Sequence, residues 1–165
     1  SLVGSEMCIR DSSKVLGVHF RGTDYKAGYQ NHPVAVQIEQ TIAQVKHCLG
    51  KNAFQKIFLA TDEKSAVERF EKEFPGKVSY FQDVYRGEGN TSVAFSQSDR
   101  PNHHYRLGYE VLRDMYALAA CDGLVAGLSQ VVNCARIVKE SSGKEYDTLC
   151  IINNGINVNG KQFTK

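Results

Sequence analysis

What most limits the fold of this chain is the order in which short apolar runs alternate with longer amphipathic stretches. The apolar runs are Val15–Phe20, Lys56–Ala60, Val78–Phe81, Gly123–Gly127 and Asp147–Ile152. Runs this short, with little apolar/polar alternation, predict strands buried on both faces. Between them the period changes. Val34, Ile38, Ile42, Val45 and Leu49 recur every three to four residues, which predicts a helix over Pro33–Cys48 that Gly50 stops. Ser65–Phe74 carries Val67, Phe70 and Phe74 on one face and ends at Pro75-Gly76. Tyr105–Ala120 is read with Val111, Leu112, Met115, Leu118 and Ala119 inward, and Gln130–Glu140 completes the helices. Strand-helix alternation of this kind predicts an α/β, Rossmann-like three-layer domain with an open parallel sheet.

Composition narrows the function classes. At 165 residues, with 42% hydrophobic and 23% charged side chains, the chain can bury one sizeable core. A net charge of +2 is too mild for a nucleic-acid-binding face, and no apolar run is long enough to cross a membrane. The five cysteines, Cys8, Cys48, Cys121, Cys134 and Cys150, show neither C-x-x-C nor zinc spacing, so buried free thiols in a reducing compartment are expected. Met7-Cys8-Ile9-Arg10-Asp11-Ser12 reads as the translation of a sequencing-library adapter. Residues 1–12 are therefore expected to lie outside the fold, with 13–153 the ligand-binding domain and 154–165 a polar tail.

The polar residues gather where the predicted strands end. Val15–Phe20 runs into His19, Arg21, Thr23 and Asp24; Lys56–Ala60 runs into Thr61 and Asp62; Gly123–Gly127 runs into Ser129 and Gln130. Ligands of open parallel sheets bind at those carboxyl ends, where the strand order reverses. In the nucleotide-binding order the first and fourth strands are adjacent, so Arg21 faces Ser129 across the switch point. A guanidinium there suits phosphate oxygens, and Ser129 opens a helix whose free N–H groups favour an anion. The plainer alternatives are an Arg21–Asp24 pair that closes a turn and a Ser129 that is an ordinary cap. Asp114 borders the buried stripe of its helix. It either pairs with Arg106 or Arg113 or accepts two adjacent N–H donors from a ligand, as a guanine edge presents them.

Other chemistries fit poorly. Gly155–Lys161 nearly spells a P-loop, but Gln162 replaces Ser/Thr and four residues follow Lys161. The first strand is followed by no G-x-G-x-x-G, and the chain has no Asp-x-Asp and no nucleophile elbow. The stretch Asp83–His104 loses all periodicity and predicts a long loop, with His103-His104 as solvated loop residues instead of a metal site.

On Gly17-Val-His-Phe-Arg-Gly-Thr-Asp24, Ala60-Thr-Asp-Glu63, and Arg113-Asp114 leading to Gly127-Leu-Ser-Gln-Val131, the chain resembles the nodulation and core α1,6 fucosyltransferases. These belong to the wider O-fucosyltransferase-like superfamily. The resemblance spans Val15 to Asn153 and implies the carboxyl-terminal, donor-binding half of a GT-B glycosyltransferase. It implies GDP-fucose or a related GDP-sugar as donor, a glycan or protein acceptor, inverting transfer, and no metal or other cofactor. It would place His19 and Asp114 at the guanine, Arg21 at the β-phosphate, and Ser129 and Gln130 near the diphosphate. Asp62 joins the donor-binding set, and Arg21 and Asp24 are the catalytic candidates. The compartment it implies is the cytoplasm for a bacterial protein and the Golgi or ER lumen for a eukaryotic one.

Two departures stand out. Many members carry a second Arg where this chain has Gly22. In the core α1,6 enzymes a Glu a few residues past the Asp is the suggested base, and Tyr25–Asn31 holds no carboxylate. The base therefore stays unassigned between Asp24, Asp62 and a residue of the other lobe that the resemblance implies. Two rivals follow: a non-catalytic nucleotide- or glycan-binding domain of the same fold, and a flavodoxin-like signalling domain with no affinity for GDP.

Overall fold

The computed structural model describes residues 13–51, 54–89 and 92–162. The adapter reading of residues 1–12, Cys8 included, lies outside them. Five strands form one sheet: β1 (Lys14–Phe20), β2 (Phe54–Thr61), β3 (Val78–Ser79), β4 (Gly123–Gly127) and β5 (Thr148–Ile152). Their order is β3-β2-β1-β4-β5 and every pairing is parallel, so β1 and β4 do lie side by side. The helices are α1 (Ile38–Lys51), α2 (Lys64–Glu73), α3 (His103–Ala120) and α4 (Gln130–Ser141).

Side chains alternate across β1 and divide the core in two. Leu16, Val18 and Phe20 join Ile42, Val45, Val67 and Phe70 of α1 and α2 on one face. Val15 joins Met115, Leu118, Val132 and Ala135 of α3 and α4 on the other. Each fully buried Leu, Ile or Phe contributes roughly 1.5–3 kcal/mol. By the same alternation Gly17 and His19 face α3. A Cβ at Gly17 would stand 3.2 Å from the side chains of Leu118 and Cys121, so the glycine lets α3 lie close on the sheet just where His19 points.

Several boundaries differ from the sequence reading, each for a local reason. α1 starts at Ile38, not Pro33, because Pro33 forms a bridge with Ile156 and the Val34 N–H donates to the Gly155 carbonyl (2.9 Å). Gly50 does not stop the helix, which runs on to Lys51. β2 gains residues at both ends, β3 shrinks to two, and α3 begins at His103 instead of Tyr105. The tail docks on the loop after β1: the Asn31 N–H donates to the Asn157 carbonyl and the Asn157 N–H to the His32 carbonyl, both at 2.9 Å.

The larger correction concerns the face that α3 buries. Val111 and Leu112 are exposed, and the inward residues are His103, Leu107, Glu110, Asp114, Met115, Leu118 and Ala119. Asp114 stands inside the buried stripe, not at its border. Cys48 and Cys121 are buried as expected, but Cys150 is half-buried and Cys134 is exposed on α4.

Candidate functional site

At the carboxyl end of the sheet lies a cavity of about 820 Å³ between the ends of β1 and β2, the loop after β3, and α3. His19, Arg21, Asp62 and Asp114 are in its wall. Asp24, Ser129 and Gln130 are not, although Val131 is.

Two of the wall residues carry orphaned polar atoms. His19 Nδ1 and Asp114 Oδ1 are buried and have no hydrogen-bond partner. Burial, helped by the charge of Arg21, pushes the His19 imidazole down to about 4, so it is neutral at pH 7. Burial pushes the Asp114 carboxyl up to about 7, with Arg86 and Arg113 opposing the shift. Neither arginine bonds it. Arg113 is taken by Asp83, and Arg86 donates to the carbonyls of Val84 (3.2 Å) and Phe81 (3.0 Å). The pairing expected from Arg106 or Arg113 is therefore not made. A buried carboxyl oxygen and a buried imidazole nitrogen, both without partners in one cavity wall, are costly and suit a ligand rich in N–H donors.

Arg21 stands where the β1 strand opens into the turn. Its Nε donates to Asp24 Oδ1 (3.0 Å), its Nη2 pairs with the same oxygen (2.9 Å), and Nε lies 3.3 Å from Asp62 Oδ2. Asp62 is anchored further by the Gly22 N–H (2.9 Å) and the Thr23 hydroxyl (2.6 Å). The turn-closing pair read from the sequence is thus present, and it occupies the Nε/Nη2 edge of a guanidinium that lines the cavity. Ser129 is likewise a working cap: its Oγ accepts from the Val131 N–H (3.1 Å). Gln130, the first residue of α4, is exposed.

Beside Arg21, Gly22 is packed against Glu63. A Cβ on Gly22 would fall 1.8 Å from Glu63 Oε2. Glu63 is buried, pairs with Lys26 (2.6 Å) and accepts from Ser65 Oγ. The space beside Gly22 is therefore filled by a carboxylate.

The long loop is held by residues that the sequence reading did not single out. Glu110 takes the Tyr85 N–H (3.2 Å) and both arms of the Arg100 guanidinium, so one carboxylate clasps both ends of the loop. His103 is buried in the first turn of α3, not solvated in a loop. Ser96 Oγ donates to the Val93 carbonyl (2.6 Å), so it accepts from His103 Nε2–H (2.9 Å). His103 Nδ1 accepts from Arg100 Nε (3.3 Å). With its proton on Nε2, this imidazole cannot take one from Ser96, and the pair is a latch instead of a nucleophile with its base. Among the described residues no cluster of His, Cys, Asp or Glu could hold a metal ion. Glu110 was legible in one respect: it stands four residues before Asp114 and three after Leu107, on the spacing that buries both.

No protein-family model matches the sequence, and no curated protein is significantly similar to it. Similarity appears among solved structures. NodZ alpha-1,6-fucosyltransferase soaked with GDP-fucose aligns at a TM-score of 0.51 and 19% identity, over 78% of this chain and 37% of that one. The same enzyme co-crystallised with GDP aligns at 0.46 and 21% identity, over 76% and 36%. This chain thus spans little more than a third of that fucosyltransferase. At such identity the first likeness establishes the fold, a Rossmann-like α/β domain of the kind found in a fucosyltransferase.

Proposed function

We propose that this domain is the donor-binding lobe of a glycosyltransferase that transfers fucose, or a closely related sugar, from a GDP-sugar to a glycan or protein acceptor. The observation that carries it is the pair of orphaned atoms, His19 Nδ1 and Asp114 Oδ1, in a cavity that Arg21 also lines. The base occupies the inner end of that cavity, its two adjacent N–H donors meeting the Asp114 carboxylate and its neighbouring edge meeting His19. A carboxylate can accept both donors together, which adenine and uracil do not offer in that arrangement.

The diphosphate lies outward, toward Arg21 and the amino end of α4 behind Ser129. As the sugar leaves, negative charge grows on the β-phosphate, and a guanidinium already in place stabilises it there. The reaction inverts the sugar and calls on no metal, so that stabilisation falls to Arg21. Support comes also from the fold neighbour soaked with GDP-fucose.

One observation favours a second reading, a nucleotide-binding domain without turnover. The place where many members of the resembling family carry a second Arg is Gly22, and Glu63 fills it. Calorimetric titration with GDP, GDP-fucose, UDP and ADP tests what the two readings share. GDP and GDP-fucose should bind in preference to UDP and ADP. Arg21→Ala should weaken GDP on the order of tenfold to a hundredfold, the worth of a charge-assisted bond. Asp114→Asn should erode the preference for guanine. Equal affinity for all four nucleotides would end the donor-lobe assignment. GDP-fucose binding by a full-length protein that transfers nothing would favour the second reading.

A further inference from the structure

We infer that Asp24 is an internal competitor for the anion seat of Arg21: its carboxylate occupies the Nε/Nη2 edge of the guanidinium, and that edge opens to a diphosphate only when Asp24 leaves it. This rests on the phosphate role proposed for Arg21 and adds to it a residue that sets which anions are admitted.

The two carboxylates around Arg21 are not equivalent. Asp62 is fixed from three sides, by the Gly22 N–H (2.9 Å), the Thr23 hydroxyl (2.6 Å) and Arg21 Nε (3.3 Å). Asp24 is held by Arg21 through a single oxygen, Oδ1, at 3.0 Å from Nε and 2.9 Å from Nη2. The Thr23 hydroxyl lies 3.3 Å from that oxygen but points its proton at Asp62, the much shorter contact. When Arg21 changes partners, Asp62 keeps two bonds and Asp24 keeps none of comparable strength.

Charge makes the exchange selective. One guanidinium between two carboxylates leaves the seat with a net negative charge, which repels a weak anion. A diphosphate brings enough charge and enough oxygens, placed for the fork of an arginine, to displace one carboxylate. Chloride, acetate or a lone carboxylate does not. The displaced Asp24 then stands free beside the phosphate, ready to turn toward solvent or an acceptor hydroxyl.

The test uses the whole chain with GDP and with inorganic pyrophosphate, titrated calorimetrically against wild type, Asp24→Asn, Asp62→Asn and Arg21→Ala. Removing a competitor tightens binding, so Asp24→Asn should bind both ligands about threefold to tenfold more tightly, the scale of a partly exposed ion pair. Asp62→Asn should bind them more weakly, because the turn that aims Arg21 loses its anchor. Sodium acetate should compete with pyrophosphate in Asp24→Asn and not in wild type. Unchanged or weaker binding by Asp24→Asn, with Arg21→Ala still impaired, overturns the competitor and leaves the phosphate seat standing. If Arg21→Ala binds as wild type does, or if none of the proteins binds either ligand, the seat itself fails and the competitor with it.

Discussion

The two ends of the sheet treat buried polar groups in opposite ways. At the amino end, Lys139 of α4 is buried and its Nζ donates to the carbonyls of Ala119 (3.2 Å) and Cys121 (2.7 Å), the orphan acceptors where α3 stops. The Tyr146 ring lies under the same ammonium, and its hydroxyl donates to the Leu118 carbonyl. The Asp122 carboxylate closes the same edge by accepting the Val15 N–H (2.8 Å). At the carboxyl end, His19 and Asp114 are equally buried and each has an atom with no partner. The larger cavity, about 1050 Å³, is at the amino end, beside Lys139 and Asp122. Volume therefore does not mark the site; what marks it is a buried carboxyl and a buried imidazole without partners in one cavity wall, whereas the amino end leaves the Ser13 hydroxyl unmet. One end answers its buried ammonium with two carbonyls, and the other leaves a carboxyl oxygen and an imidazole nitrogen unanswered, a cost in stability that a ligand can repay.

The sharpest test of that contrast is Lys139→Ala. It strands two carbonyls and removes a buried packing partner, and should destabilise the protein by about 3 kcal/mol. Urea denaturation measures the loss, and GDP affinity below the unfolding transition should not change. A fall in affinity without a fall in stability would break the division between the ends.

Next in size is the effect of Asp114→Asn, which should run the other way. The Asp114 carboxyl, raised to about 7, titrates near 4 in an unfolded chain. Between those pH values the unfolded chain holds fewer protons than the folded one, so this group makes stability fall as pH rises. His19, lowered to about 4 from an ordinary value near 6.5, does the reverse: the unfolded chain holds more protons there, and stability rises with pH. Across about pH 4 to 6.5 the two slopes oppose each other. Asp114→Asn should leave the His19 slope alone and make the protein more stable than wild type at pH 8, by about 2 kcal/mol once the cost of burying an unpaired amide is set against the roughly 4 kcal/mol the shift is worth. Denaturation midpoints taken across pH 4 to 8 check both points. A variant no more stable than wild type at pH 8 would mean that Asp114 has a partner after all.

Ser129→Ala sharpens the comparison at the smallest scale. Its hydroxyl already caps α4, so the loss should be about 1 kcal/mol of stability, read from the melting temperature. Any loss of GDP affinity beyond that of an equally destabilised variant elsewhere assigns Ser129 to the ligand as well.

The fold was legible because a parallel sheet buried on both faces writes its strands as continuous apolar runs, as Leu16 to Phe20 and Ile57 to Ala60 do. The adjacency of β1 and β4, and the meeting of Arg21 and Asp62 at one cavity, follow once the nucleotide-binding strand order is assumed, whereas Asp24, Ser129 and Gln130, expected with them, stand outside its wall. Helix α3 was misread because periodicity counts apolar residues. Three residues of its inward face, Leu107, Glu110 and Asp114, line the cavity, so two carboxyls occupy positions where Leu or Val would be expected, while Val111 and Leu112 are exposed at its edge. The start of α1 was misread for a related reason. Val34 and Val36 are apolar but serve the loop, with Val36 packed on Gly127 and Val34 tied to the tail. What no pattern in the chain announced were the contacts between distant loops: Glu63 at Gly22, and Glu110 at Tyr85 and Arg100.

The Glu110 clasp has a consequence for how such a domain changes over generations. Because Tyr85 and Arg100 are fixed to one carboxylate, the segment between them is tethered at its base whatever its length. Gln97, Ser98 and Asp99 are exposed near one end of it. Lengthening a loop at such a place is cheap, about 0.6 kcal/mol for each doubling. Lineages can therefore rewrite the rim of this cavity by insertion and deletion while its floor keeps its geometry, which separates the evolution of what is admitted from the evolution of what is held.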